Sequence, residues 1–135
     1  MCIRDSFYWY QGETDAMSAS TSAAYQSNLW TFVHAVRSQL PMSSSSPFVI
    51  AEEDITNYIA TETQSHTFSP AQTWIETAGN AQVRAADQRI AHRMSDVFLV
   101  DTAALPRTGG FIHLTNISEL TLGNDLARAA EAHLP

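Results

Sequence analysis

The residues best suited to do chemistry in this chain stand near its two ends. Gln11, Gly12, Glu13, Thr14 and Asp15 place an amide, a flexible backbone position and two carboxylates side by side. They follow Phe7-Tyr8-Trp9-Tyr10, four aromatic residues of high strand propensity. Open α/β sheets put reactive groups just past the carboxyl ends of their strands, which is where an apolar strand stopping at a glycine turn would leave these acids. The same residues also serve a plainer purpose, as strand, turn and the cap of a helix starting at Thr14 or Asp15. At the other end, His113 follows Gly109-Gly110 and precedes a helical pattern. A loop imidazole titrates near neutrality and suits a general base, although a single histidine is more often packed or solvated.

The elements that must position these groups alternate strand and helix. Residues 20–40 carry Tyr25, Leu29, Phe32, Val33, Val36 and Leu40 at three- and four-residue steps, an amphipathic helix that Pro41 and the serines at 43–46 end. Phe48-Val49-Ile50-Ala51 reads as a buried parallel strand. Glu52-Glu53-Asp54 after it reads as solvated loop charge, because adjacent carboxylates point apart and no His or Cys spacing accompanies them. Residues 55–78 read as a long loop with room for a short helix, a lid or substrate wall whose Tyr58, Phe68 and Trp74 could stack on a sugar or pack on the body. Residues 80–94 form a second helix, with Val83, Ile90 and Met94 on its apolar face and Arg84, Asp87, Arg89 and Arg93 on its polar one. Residues 96–101 give a third strand, and a last helix with Leu120, Leu122, Leu126, Ala129, Ala130 and Leu134 starts near Ser118. Strand and helix in alternation imply a three-layer α/β/α domain with a parallel sheet. His34 and His66 have no evident partner and receive no role. Asn116-Ile117-Ser118 is formally a glycosylation sequon, which carries little weight without a sign of secretion.

Composition excludes several function classes. The 135 residues allow one domain, and 44% hydrophobic content with three Trp marks it as globular rather than disordered. All seven basic residues are Arg, the formal net charge is −7, and no basic stripe exists, which argues against nucleic acid and anionic membranes as partners. No apolar stretch reaches transmembrane length. Cys2 is the sole cysteine, so there is no disulfide framework and no cysteine-based metal site.

Trp9-Tyr10-Gln11-Gly12-Glu13-Thr14-Asp15-Ala16 resembles the Gln-Gly-Glu-Ser/Thr-Asp block of the sialate O-acetylesterase-like and acetylxylan-esterase-like branch of the SGNH hydrolases. Residues 81–88 resemble the family's Val-Arg-x-Ala-Gln segment with one extra residue, and His113-Leu114-Thr115 with the helix after it looks like its carboxy-terminal block. The resemblance implies a flavodoxin-like α/β/α fold, deacetylation of acetylated sugars of sialic acid or xylan type by a Ser-His-acid mechanism, and no metal or organic cofactor. Carried over by position, His113 is the general base and Glu13 the acid that orients it. Gln11 and the Gly12 backbone line the oxyanion side, and Asp15 fixes the loop or caps the helix. Many SGNH enzymes place the acid three residues before the histidine, where this chain has Gly110.

The resemblance also exposes an absence. None of the five glycines has a serine two positions later, so the family's Gly-x-Ser nucleophile block is missing, and the chain as it stands is expected to form no acyl-enzyme. Met1-Cys2-Ile3-Arg4-Asp5-Ser6 is what a transposon end used in sequencing-library preparation encodes, which makes residues 1–6 an expected scar. Residues 7–135 are then expected to be the C-terminal part of one SGNH-like domain, incomplete at its N-terminus, with an exposed sheet edge and poor solubility. Two rival readings stay open. One is a lipolytic SGNH esterase with an apolar pocket. The other is a non-catalytic carbohydrate-binding relative in which Gly110 marks lost catalysis. Compartment, oligomeric state and the particular sugar are not legible.

Overall fold

Among the described residues three strand-forming stretches build one parallel sheet in the order β1-β2-β3: β1 (Phe7–Tyr10), β2 (Phe48–Glu52) and β3 (Val97–Asp101). Phe7 lies opposite Phe48, and Phe48 opposite Val97, so the strand ends are level. The computed structural model describes residues 5–108 and 112–134. The expectations that concern Met1–Arg4 and Gly110 lie outside them. β2 is buried along its whole length, as its continuous apolar run requires of a central parallel strand. β1 is an edge strand, with Phe7 and Trp9 turned to the core and Tyr8 45% exposed on the other face.

Among the described residues five helices lie between and around the strands: α1 (Glu13–Ala16), α2 (Ala19–Gln39), α3 (Thr56–Gln64), α4 (Pro70–Arg93) and α5 (Asn116–Glu131). Tyr25, Leu29, Val33 and Val36 of α2 join Val83, Ala86 and Ile90 of α4 and Phe48 and Ile50 of β2 in the main core. A smaller cluster on the other face joins Ala51 of β2 to Leu122 and Leu126 of α5. Helices thus cover both faces of a parallel sheet, the expected α/β layering.

The long loop expected over residues 55–78 is instead two helices, and the helix expected from Asn80 begins at Pro70. Ser69 accepts from the Gln72 amide and Pro70 follows it, a cap and first-turn proline that start α4 cleanly. The threonines that made the stretch look loop-like are satisfied inside the helices. Thr61 and Thr63 donate to the carbonyls of Asn57 and Ile59, and Thr77 donates to Thr73. The first helix begins at Glu13 on an uncapped Gly12, not at Thr14 or Asp15. The last is capped by Thr115, whose hydroxyl accepts from the Ser118 amide.

Candidate active site

The turn after β1 is shaped by its glycine. Gly12 is buried with φ +149°, a conformation unfavourable for any side chain, and a Cβ there would lie 2.7 Å from Val83 Cγ1. Alanine at Gly12 combines backbone strain with a collision against a stiff β-branched neighbour. A loss of about 1–3 kcal/mol in unfolding free energy is expected. Denaturant titration checks it, and Val83→Ala in the same chain should restore only the steric part.

The chain end meets this turn at the carboxyl side of the sheet. Tyr10, Glu13, Glu53, Ile112, His113, Leu114 and Glu119 enclose a cavity of about 240 Å³. Glu13 comes from the start of α1, Glu53 from the end of β2, and His113 from the loop before α5. Glu13 and His113 are thus brought to one cavity from opposite ends of the sequence. Among the described residues no hydrogen bond joins them. The Glu13 carboxylate accepts from the Gly12 amide at 3.1 Å instead. Gln11 and Asp15 face a different cavity, of about 220 Å³, beside Trp9, Tyr25, Asn28, Leu29 and Phe32. Gln11 Nε2 donates to Asp15 Oδ2 across one helical turn at 3.0 Å, which ties the strand end to α1.

Glu52, Glu53 and Asp54, expected to be solvated, are mostly drawn inward. Glu52 and Glu53 are buried and Asp54 half-buried, each held by an arginine from another part of the chain. Arg107 Nη2 reaches Glu53 Oε1 at 2.7 Å, and both side chains are almost fully enclosed (7% and 4% exposed). Arg107 also donates to the Ile112 carbonyl, pinning the loop that presents His113. Burial pushes the Glu53 carboxyl above its usual range. Arg107 opposes that rise, and the neighbouring Glu13 charge adds to it. Burial and the Glu53 charge likewise push the Tyr10 hydroxyl up to about 12, against the Arg107 charge.

Arg84 gathers the other acids. Its Nε lies 3.1 Å from Glu52, its Nη1 bonds Asp54, and its Nη2 lies 3.9 Å from Asp101, bridging the ends of β2 and β3. Gln88 Nε2 donates to the same Glu52 oxygen at 2.7 Å. Burial works against the Asp54 carboxylate. Bonds from the Thr56 hydroxyl and amide, with the Arg84 charge, outweigh it and hold the group below its usual range. Asp87, expected on the polar face of this helix, is fully buried, because α4 is enclosed between α2 and the sheet.

A separate groove of about 790 Å³ runs between α3 and α4 past Thr63, Phe68 and Trp74. Tyr58 and Phe68 pack edge to face, whereas Trp74 is 72% exposed beside the groove. Among the described residues there is no group of three or more His, Cys, Asp or Glu side chains arranged to hold a metal ion. No described helix is long and apolar enough to cross a membrane.

Glu53 and Arg107 were not readable as site residues. Arg107 stands in an irregular segment with no periodicity. The one available signal for Glu53 was its place two residues past the apolar run at 48–51, where the chain is still leaving the interior.

A family model described as carbohydrate esterase, sialic acid-specific acetylesterase, matches residues 5–132. The chain belongs to this acetylesterase family. A crystal structure of an Arabidopsis thaliana protein shares the fold, with a TM-score of 0.70 and 22% identity over 97% of this chain. The chain spans 45% of the length of that structure. No curated protein matches.

Proposed function

We propose that this chain carries the histidine and acid part of a Ser-His-acid esterase site that removes acetyl groups from carbohydrates. The observation that supports it most is the meeting of Glu13 and His113 in one cavity at the carboxyl ends of the strands. His113 takes the proton of the attacking hydroxyl and returns it to the leaving sugar oxygen. Glu13 orients the imidazole and stabilises its charge. In the observed state Glu13 Oε2 accepts from the Gly12 amide, and no hydrogen bond joins Glu13 to His113 among the described residues. The Gly12 backbone serves the oxyanion side of the turn, while Gln11, bonded to Asp15 and facing the neighbouring cavity, braces that turn from behind. The nucleophilic serine comes from a segment encoded ahead of Phe7. The missing Gly-x-Ser and the edge position of β1 support this.

The test is to extend the reading frame upstream of the Phe7 codon and assay acetate release from acetylated sialic acid, acetylated xylo-oligosaccharide and an aryl acetate. The extended protein should turn over a sugar ester, and His113→Ala should lower kcat by about 10³-fold or more. The 135-residue chain alone should be inactive. Turnover by that chain, abolished by His113→Ala, overturns the placement of the serine. Activity of the extended protein that survives His113→Ala overturns the role of the histidine.

A further inference from the structure

Beneath the Gln-Gly-Glu turn lies a buried polar pair that the esterase reading does not use. The Tyr25 hydroxyl of α2 stands 3.0 Å from the Gln11 carbonyl oxygen and 3.1 Å from Asp87 Oδ1 of α4. A phenol has one proton to donate, and the Gln11 carbonyl can only accept. Both contacts are full two-centre hydrogen bonds when Asp87 is the neutral acid, donating to Tyr25 while Tyr25 donates to Gln11. With an ionised Asp87 they share one proton. The charged carboxylate, as the stronger acceptor, draws that proton away from the Gln11 carbonyl. A Cβ at Gly12, directly after that carbonyl, would stand 3.5 Å from the Tyr25 oxygen, which is ordinary contact distance, so the hydroxyl borders the turn.

We infer that Tyr25 and Asp87 form a proton-linked strut that sets the Gln11–Gly12 turn, engaged when Asp87 is protonated and released when it is not. As a device for positioning an oxyanion turn it rests on the esterase reading. As a coupling of Asp87 to the turn it does not. The surroundings agree with a neutral resting state. Burial pushes the Asp87 carboxyl up to about 8, the Tyr25 bond opposes this, the Glu52 and Glu53 charges add to it, and Arg84 opposes it. The Asp15 carboxylate of α1 acts on the Tyr25 side of the pair, and with Glu52, Glu53 and Arg84 completes the charged groups facing it.

The strut is tested on the 135-residue chain by amide nitrogen–proton correlation spectra between about pH 6 and 10, about ±2 units around the Asp87 midpoint. The Gly12 amide should follow a single transition centred near pH 8. Asp87→Asn should abolish the transition, and Tyr25→Phe, which keeps the ring packing, should remove most of its amplitude. A Gly12 resonance that stays flat in the unaltered chain overturns the strut. So does a transition that persists in Asp87→Asn, or one of full amplitude in Tyr25→Phe. In the extended enzyme the strut predicts a fall in kcat through the same pH range with KM unchanged, flattened in Asp87→Asn. An enzyme with no esterase activity would sink the catalytic reading and leave the spectral result standing.

Discussion

Replacing Arg107 by alanine should lower the unfolding free energy by about 3–5 kcal/mol, because it leaves a buried carboxylate without its counter-charge. Glu53 has almost no access to water, and the Arg107 guanidinium is its 2.7 Å partner. The variant should respond to pH in a defined direction. Glu53 already titrates above its usual range in the fold, and loss of Arg107 raises it further. A folded-state value raised above the unfolded one contributes stability that is present at low pH and lost as pH rises through the folded value. The deficit of Arg107→Ala against the unaltered chain should therefore be smaller near pH 4 than near pH 8. Glu53→Gln in the Arg107→Ala background should recover part of the loss at pH 8, since a neutral amide needs no counter-charge. Urea unfolding at both pH values measures all three quantities. A deficit independent of pH would show that Arg107 acts by packing alone. The loop carrying His113 should loosen in the same variant, because Arg107 also holds the Ile112 carbonyl.

Gly79→Ala is expected to be nearly as damaging, at about 3 kcal/mol, despite placing a better helix former inside a helix. The Ala16 carbonyl oxygen lies 2.0 Å from where the new Cβ would stand, and the Ala16 carbonyl carbon 2.8 Å away. These are backbone atoms and cannot swing aside, so α1 and α4 must separate. The helix-propensity gain of about 1 kcal/mol offsets only part of that cost. Because α1 begins at Glu13, the displacement should reach the cavity as well. Thermal unfolding with amide shifts of residues 12–17 checks both effects. Unchanged shifts alongside an unchanged midpoint would overturn the close-contact account.

Much of the positioning scaffold was legible because it depends on local periodicity. The helix read over residues 20–40 is α2, and its apolar positions are its buried or half-buried ones. The strands at 48–51 and 96–101 appear within a residue or so of their limits. The Gln-Gly-Glu string marked the turn, since a glycine between a strand and acids is a local signal. Residues 55–78 misled because threonine and serine have poor helix propensity. Their back-bonding to helix carbonyls and the Ser69-Pro70 start cannot be weighed from composition. Gly79 falls between the loop read over residues 55–78 and the helix read from residue 80. It is the contact point where α1 crosses α4, visible only once both helices are placed.

By itself the sequence determined the alternation of strand and helix, the family and the two blocks that carry Glu13 and His113, all of which reside in short contiguous patterns. Tertiary structure alone decided which charges are buried. Arg107 with Glu53, Arg84 with Glu52 and Asp54, and Tyr25 with Asp87 are far apart in sequence, and each carboxylate taken singly looks like surface charge. Pairing across the fold is what allows a charged or polar group to leave water, and no local pattern encodes that pairing.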